Sequence, residues 1–252
     1  MKPQRRIEKI TKWIGDYARK HKIQTLVVGI SGGIDSSVVS TLCGRTGIST
    51  IAVSMPIRQS KTTHELSLKH GEWLESNYPN VSHETVDLTS PFKHFEKALT
   101  TFESELALAN SRARLRMMCL YQIAQSHGGI VVGTGNRVED FGVGFFTKYG
   151  DGGVDISPIG DCLKTDVWEM GRHLNILPEI ILAAPTDGLW ADGRTDEDQL
   201  GMTYLELEVA MQEDLNVVSI RDSVNAENLK KYRAIRQRNL HKMLPIPVCI
   251  LK

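Results

Sequence analysis

The feature that most constrains this chain is the stretch 25–39, TLVVGISGGIDSSVV, where a short apolar run ends in a serine–glycine turn and restarts with helical character. Leu26, Val27, Val28 and Ile30 form a β-branched, nearly continuous apolar run, the pattern of a strand buried on both faces of a parallel sheet. Gly32 and Gly33 follow Ser31. Glycines there let the backbone take positive φ and approach a ligand without a Cβ in the way. Successive N–H groups in such a turn, with the positive end of the helix expected from Asp35, make a concave anion site. No lysine follows the glycines, so this is not the phosphate loop of the common nucleotidases. Asp35 and two hydroxyls, Ser36 and Ser37, stand there instead, so the loop offers a carboxylate for a divalent cation beside bound phosphates. The bland alternative is a strand, a turn and a helix with an acid in its first turn, which carries no chemistry.

The whole chain bounds the possibilities. Its 252 residues, 41% of them hydrophobic, suffice for one well-cored α/β domain or two small ones. Thirty basic and thirty acidic side chains balance, which argues against a general nucleic-acid binder, since that would show a basic excess. Cys43, Cys119, Cys162 and Cys249 are far apart with no CxxC pair, so neither a zinc knuckle nor a redox motif is supported, and a reduced, cytoplasmic chain is expected. No apolar stretch approaches the ~20 residues that span a bilayer. The basic, amphipathic N-terminus is interrupted by Glu8 and Asp16 and reads as a folded helix over 3–21, with Ile7, Ile10, Ile14 and Tyr17 on one face and Trp13 alongside, rather than a targeting peptide.

SGGIDSS at the end of a first strand resembles the pyrophosphate loop of the N-type ATP pyrophosphatases, the superfamily of NAD, GMP and asparagine synthetases. The resemblance implies ATP as cosubstrate, adenylylation of an oxygen and release of pyrophosphate, with Gly29, Ser31, Gly32, Gly33, Asp35 and Ser36 at the nucleotide. A helix is expected from Asp35 to about Cys43, then a second strand over 49–55 that Pro56 closes. Ligands of open parallel sheets sit beyond the carboxyl ends of strands, so Ser54 and Met55 are placed near the first loop, with Met55 and backbone groups against adenine; a methionine there is otherwise ordinary core. A helix over 62–77 and a third strand over 82–88 follow. His64, His70, His83 and His94 share no ligand spacing and read as surface or core histidines.

Residues 99–125 carry a long helical pattern with a break expected near Asn110. Arg112 and Arg116 are four apart and point to one side, Arg114 to another. Solvated arginines are the bland reading, yet a helix that also carries Leu115, Met118 and Leu120 must be largely covered, and guanidinium groups near such a surface need anionic partners. NxxARxRM over 110–117 resembles the signature of the NAD synthetases, in which the asparagine and the arginine after alanine, here Asn110 and Arg114, contact the nicotinate nucleotide.

The fourth strand, 129–133, leads into TGNRVE over 134–139. Thr134 offers a hydroxyl to an ATP phosphate, and Glu139 a second carboxylate to the Mg²⁺ assigned to Asp35; the bland reading of Glu139 is a first-turn helix acid. The segment 142–155, GVGFFTKYGDGGVD, is too glycine-rich for a stable helix and too aromatic for a linker. It closely matches the NAD synthetase segment GxFTKYGDG. Such a loop can bring Phe145 or Phe146 against a flat ring, and the resemblance implies Lys148 and Asp155 on deamido-NAD and Asp151 near the incoming ammonia. By the same resemblance Lys164 reaches the ATP phosphates, Thr186 contacts ATP from the acidic, glycine-rich segment 184–201, and His241 and Lys242 contact the dinucleotide. A lysine at a helix start opposes the dipole, which favours a bound anion at Lys164. Two departures stand out. Glu139 lies six residues before Phe145, one residue more than the family spacing, and Met243 replaces the arginine that usually follows the HK pair.

Strands alternating with helices imply an α/β fold, a doubly wound, mostly parallel sheet with helices on both faces, and the resemblance makes it adenine nucleotide alpha hydrolase-like. One domain, 1–252, is expected. The resemblance implies an ammonia-dependent NAD synthetase, a homodimer in which ATP adenylylates deamido-NAD with Asp35, Glu139, Lys164 and Asp151 as the catalytic set. No ~250-residue glutaminase domain fits beside these motifs, so the nitrogen source is expected to be ammonia. The alternatives are a GMP synthetase-like amidotransferase subunit and a non-catalytic ATP-binding module.

Overall fold

The computed structural model describes all residues except 59–60, 103, 187, 189–192, 216–223 and 252. Four strands, β1 (Thr25–Gly29), β2 (Ser49–Ser54), β3 (Val81–Thr85) and β4 (Gly129–Val131), form a parallel sheet in the order β3-β2-β1-β4. Val27 registers with Ile51 on one side and Val131 on the other. Period-2 alternation sends neighbouring residues of β1 to opposite faces, and each face has its own core. Leu26 and Val28 pack with helices α1 (Pro3–Lys20), α2 (Ile34–Gly44) and α6 (Lys164–His173), through Ile7, Ile14, Leu42, Val167 and Met170. Val27 packs with α4 (Thr89–Ala98) and α5 (Glu105–Ser126), through Phe92, Met117, Leu120 and Ala124. The remaining helices are α3 (Lys61–Asn77), α7 (Pro178–Leu182), α8 (Asp196–Leu200), α9 (Tyr204–Asp214) and α10 (Val224–Met243). The last two join a π-helix, Arg137–Val143, in a third core of Val138, Val143, Leu207, Met211 and Tyr232.

The doubly wound expectation holds, and the differences are local. β3 ends at Thr85, not at 88, because Asp87 turns the chain: its Oδ1 accepts from Thr89 N at 2.8 Å and α4 starts there, with Pro91 in its first turn. The long helix begins at Glu105 behind the Ser104 cap and runs unbroken through Asn110, since Asn110 is held by a partner outside the helix, described below. β4 stops at Val131, and Val132 forms a single parallel bridge with Ile156. Gly142 and Val143, expected in a loop, close the π-helix, and Gly144 at φ 66° ends it.

Buried polar groups tie α2 and α3 to the sheet. Ser40 Oγ donates to Ser37 O, so its 2.9 Å contact with His70 Nε2 is made by the ring proton. His70 is fully buried, stacks on Trp73, and leaves Nδ1 without a partner among the described residues. Burial pushes its pKa down to about 4, against an ordinary 6.5. The half-buried His83, on Ser54 Oγ at 2.9 Å, is lowered by burial too. A histidine depressed on folding favours the unfolded chain once protons are available, so stability is intact above pH 6.5 and lost as pH falls towards 4. His70 alone should cost about 2 kcal/mol at pH 5 relative to neutral pH. Urea midpoints at pH 7.5 and 5 check this. The fall should be smaller in His70→Gln, and an equal fall in both proteins removes His70 as its source.

Candidate functional site

The turn after β1 is pre-built by its own hydroxyls. Ser36 and Ser37 Oγ both donate to Gly33 O, at 3.0 and 2.9 Å, and Ser36 Oγ accepts from Ser31 N at 3.1 Å. Gly32 sits at φ 86°, where a Cβ would come 2.5 Å from Thr63 O of α3, so only glycine fits this turn. The turn opens into a cleft of about 1050 Å³ at the carboxyl ends of β1, β2 and β4, the expected edge of such a sheet.

At its floor a single ammonium joins three elements. Lys164 Nζ, at the start of α6, donates to Asp35 Oδ2 at 2.6 Å and Glu139 Oε1 at 2.9 Å; its side chain is 2% exposed. Asp35 comes from the first turn of α2, Glu139 from the π-helix. Asn136 fixes both: its amide donates to Asp35 Oδ1 at 3.0 Å, while its Oδ1 caps the π-helix by accepting from Val138 and Glu139 N–H. Tyr204 OH donates to Glu139 Oε1 at 2.5 Å. Burial would lower the Lys164 pKa, but the two carboxylates outweigh it and hold the ammonium charged. Burial would raise Glu139, yet Lys164 and the Tyr204 hydroxyl hold it down; burial and the Glu139 charge push Asp35 up. Within the chain the partners of this helix-start ammonium are the two carboxylates. Hard oxygen donors converging on one cation are also what Mg²⁺ needs, so the two carboxylates can hold the metal.

Opposite stands the loop after the π-helix, clasped to α5. Thr147 Oγ1 donates to Asn110 Oδ1 at 2.6 Å, and Arg114 Nε to Lys148 O at 3.1 Å. From α10, Lys242 Nζ donates to Phe146 O at 2.8 Å, and His241 O accepts from Lys148 Nζ at 3.1 Å. Asp151 accepts from Thr147 N, and its enclosure in the cleft pushes its pKa up. Asp140 is raised well above the usual carboxylate range by burial and by Glu139, Asp151 and Asp35; it occupies space that Gly135 leaves, where a Cβ would lie 1.8 Å from Asp140 Oδ2.

The cleft brings together Gly29, Ser31, Gly32, Gly33, Asp35, Ser36, Met55, Asn110, Arg114, Thr134, Glu139, Phe145, Lys148, Asp151, Lys164, Thr186, His241 and Lys242. Asp155 is not among its lining residues: its carboxylate braces Tyr121 OH and Val131 N, at 3.2 and 2.7 Å, behind the loop. Arg114 and Arg116 both reach the cleft whereas Arg112 lies over the Phe92 ring, because long side chains curl round α5 further than helical spacing alone suggests. Thr186 Oγ1 donates to Arg194 O; residues 187 and 189–192 of the acidic, glycine-rich segment lie outside the described residues. Sequence reading missed Asn136, whose cap signal, an asparagine three residues before a glutamate, was present. It also missed Tyr204, which no local pattern reveals. The segment between Glu139 and Phe145 winds as the π-helix, a device frequent at functional sites, and just beyond it Phe145 N reaches back six residues to Glu139 O at 2.8 Å.

Removing the Lys164 charge leaves two buried carboxylates facing each other. Lys164→Met should lose about 3 kcal/mol in urea denaturation, and Mg²⁺ should raise its melting temperature more than the wild type's. A variant within 1 kcal/mol of wild type (roughly the level of an exposed pair) counts against the ammonium as the keystone.

Residues 6–245 match the NAD synthase family model. The NH(3)-dependent NAD(+) synthetase of Carboxydothermus hydrogenoformans is 39% identical over 206 residues, 80% of this chain and 82% of that one. The NH(3)-dependent NAD(+) synthetase of Mycoplasma pneumoniae is 36% identical over 94% of this chain and 91% of its own. The structure of NMN synthetase from Francisella tularensis superposes with a TM-score of 0.89 over 100% of both chains at 32% identity.

Proposed function

The chain belongs to the NAD synthase family, and from that premise we infer that it is an ammonia-dependent ligase converting deamido-NAD, ATP and ammonia to NAD, AMP and pyrophosphate. The observation that carries this reading is that the turn after β1 and the α5-clasped loop 144–153 form opposite walls of one cleft. ATP lies along Gly29, Ser31, Gly32, Gly33 and Ser36, with Met55 at the adenine and Thr134, Lys164 and Thr186 at the phosphates and ribose side. Deamido-NAD lies along Asn110, Arg114, Phe145, Lys148, His241 and Lys242; Asp155 acts through the loop that it braces. An oxygen of the nicotinate carboxylate attacks the α-phosphorus, and the bond to the β-phosphate bridging oxygen breaks, so that pyrophosphate leaves with the electron pair. Lys164 and the loop N–H groups neutralise charge on the departing pyrophosphate. Ammonia then attacks the acyl carbon, AMP departs, and Asp151, with its raised pKa, takes the nitrogen's proton. Asp35 and Glu139 hold Mg²⁺, which supplies Lewis-acid polarisation of the phosphates when bound.

Family membership favours this reading over a GMP synthetase-like subunit or a non-catalytic ATP-binding module. A second reading, nicotinate mononucleotide in place of the dinucleotide, is supported by the full-length likeness to the Francisella tularensis NMN synthetase. The chain works as one domain, 1–252, in a homodimer, supported by Leu106 and Met118, exposed at 59% and 65% on α5. A cytoplasmic setting is supported by the unpaired cysteines Cys43, Cys119, Cys162 and Cys249.

Purified protein with ATP, Mg²⁺ and ammonium should yield one AMP per amide formed, with deamido-NAD turned over faster than nicotinate mononucleotide. A reversed order selects the second reading, and turnover of neither removes the assignment. Asp35→Asn and Glu139→Gln should each lower kcat at least about 100-fold; wild-type turnover by either variant removes its carboxylate from the metal.

A further inference from the structure

Among the described residues Arg116 is a cation without a counter-ion. Its Nε donates to Met55 O at 2.9 Å, and its Nη2 is buried with no partner among the described residues. Lys164 and Arg6, also largely buried, each meet carboxylates, Asp35 and Glu139 for the first and Asp166 at 2.7 Å for the second. Burial and, after it, the neighbouring Arg112 push Arg116 down to about 10, and the carboxylate that pulls the other way is Asp151, across the cleft. A buried guanidinium left in this state is costly unless an anion arrives with a ligand.

Its position selects the anion. Arg116 lines the cleft, one turn before Leu120 on α5. A Cβ on Gly29 at the end of β1 would touch both Leu120 and Met55, at 3.4 and 3.2 Å. Arg116 thus holds the carbonyl at the adenine end while feeling Asp151 of the second-substrate loop. The pyrophosphate has the turn after β1 and Lys164, and the dinucleotide phosphates have Lys148 and Lys242. The charge left to serve is the α-phosphate, where the two substrates join.

We propose that Arg116 is a catalytic residue for adenylyl transfer, its guanidinium meeting the α-phosphate of ATP and then the phosphate of the acyl adenylate. The assignment rests on the reading of the cleft given above. The guanidinium fork matters because Nε can keep Met55 O while another nitrogen serves the phosphate; a lysine ammonium has no such fixed fork.

The test is deamido-NAD-dependent exchange of labelled pyrophosphate into ATP, by wild type, Arg116→Met and Arg116→Lys, with melting temperatures and KM for ATP measured alongside. Arg116→Met should lose at least about 100-fold in exchange kcat, with KM for ATP changed less than about fivefold and a melting temperature equal to or above wild type, because an unpaired buried charge has gone. Arg116→Lys should recover part of the rate. Exchange by Arg116→Met at the wild-type kcat, or a loss confined to KM and melting temperature, overturns the proposal and leaves Arg116 a brace for Met55. Should Arg116→Met not fold, the same criteria apply to Arg116→Lys, whose wild-type kcat overturns it. Absence of exchange by wild type with either nicotinate nucleotide overturns the functional reading and this one together.

Discussion

The active-site half of the molecule hangs on one ammonium group. Lys164 Nζ holds Asp35 and Glu139, which arrive from strand exits more than a hundred residues apart in the chain. Three helix starts, those of α2, the π-helix and α6, are thereby brought to one point with their positive ends converging. Such a buried ion set is weak evidence for net stability, because desolvation offsets the Coulomb gain. Its consequence is geometric: two carboxylates that would repel one another are kept aligned on a shared cation, and any metal entering there meets donors already aimed.

The parts legible in the sequence were those whose cause is local. The β1 run and its glycine turn announce themselves because burial on both faces demands continuous apolar residues and because positive φ demands glycine. Helix α4 escaped notice because its start depends on a single side-chain bond, from Thr89 N to Asp87. Tyr204 was invisible for a different reason: its hydroxyl reaches Glu139 from sixty-five residues away, and only packing of α9 on the π-helix puts it there. Asp155 is a different case, a residue marked by resemblance whose carboxylate also accepts from Val131 N and Tyr121 OH.

Helix α5 shows how a face can serve three masters. Its apolar residues Met117, Leu120 and Ala124 fill the sheet core, while Asn110 and Arg114 hold the loop 144–153 and Arg116 holds the end of β2. The cleft walls therefore move with the helix that anchors them. A rigid element carries both clasps, so the distance between the loop 144–153 and the end of β2 is set by packing rather than by loop chemistry.

The π-helix has a consequence for how the chain can vary in length. Its first turn is pinned by Asn136, and its end by Asn239 Nδ2 on Val143 O and Arg236 Nη1 on the carbonyls of Phe141 and Gly142. Between these fixed points the backbone forms a ring wider than an α-turn. Because that ring is fastened at both ends, a residue gained or lost inside it should be absorbed there, with Glu139 within it and Phe145 beyond it keeping their stations.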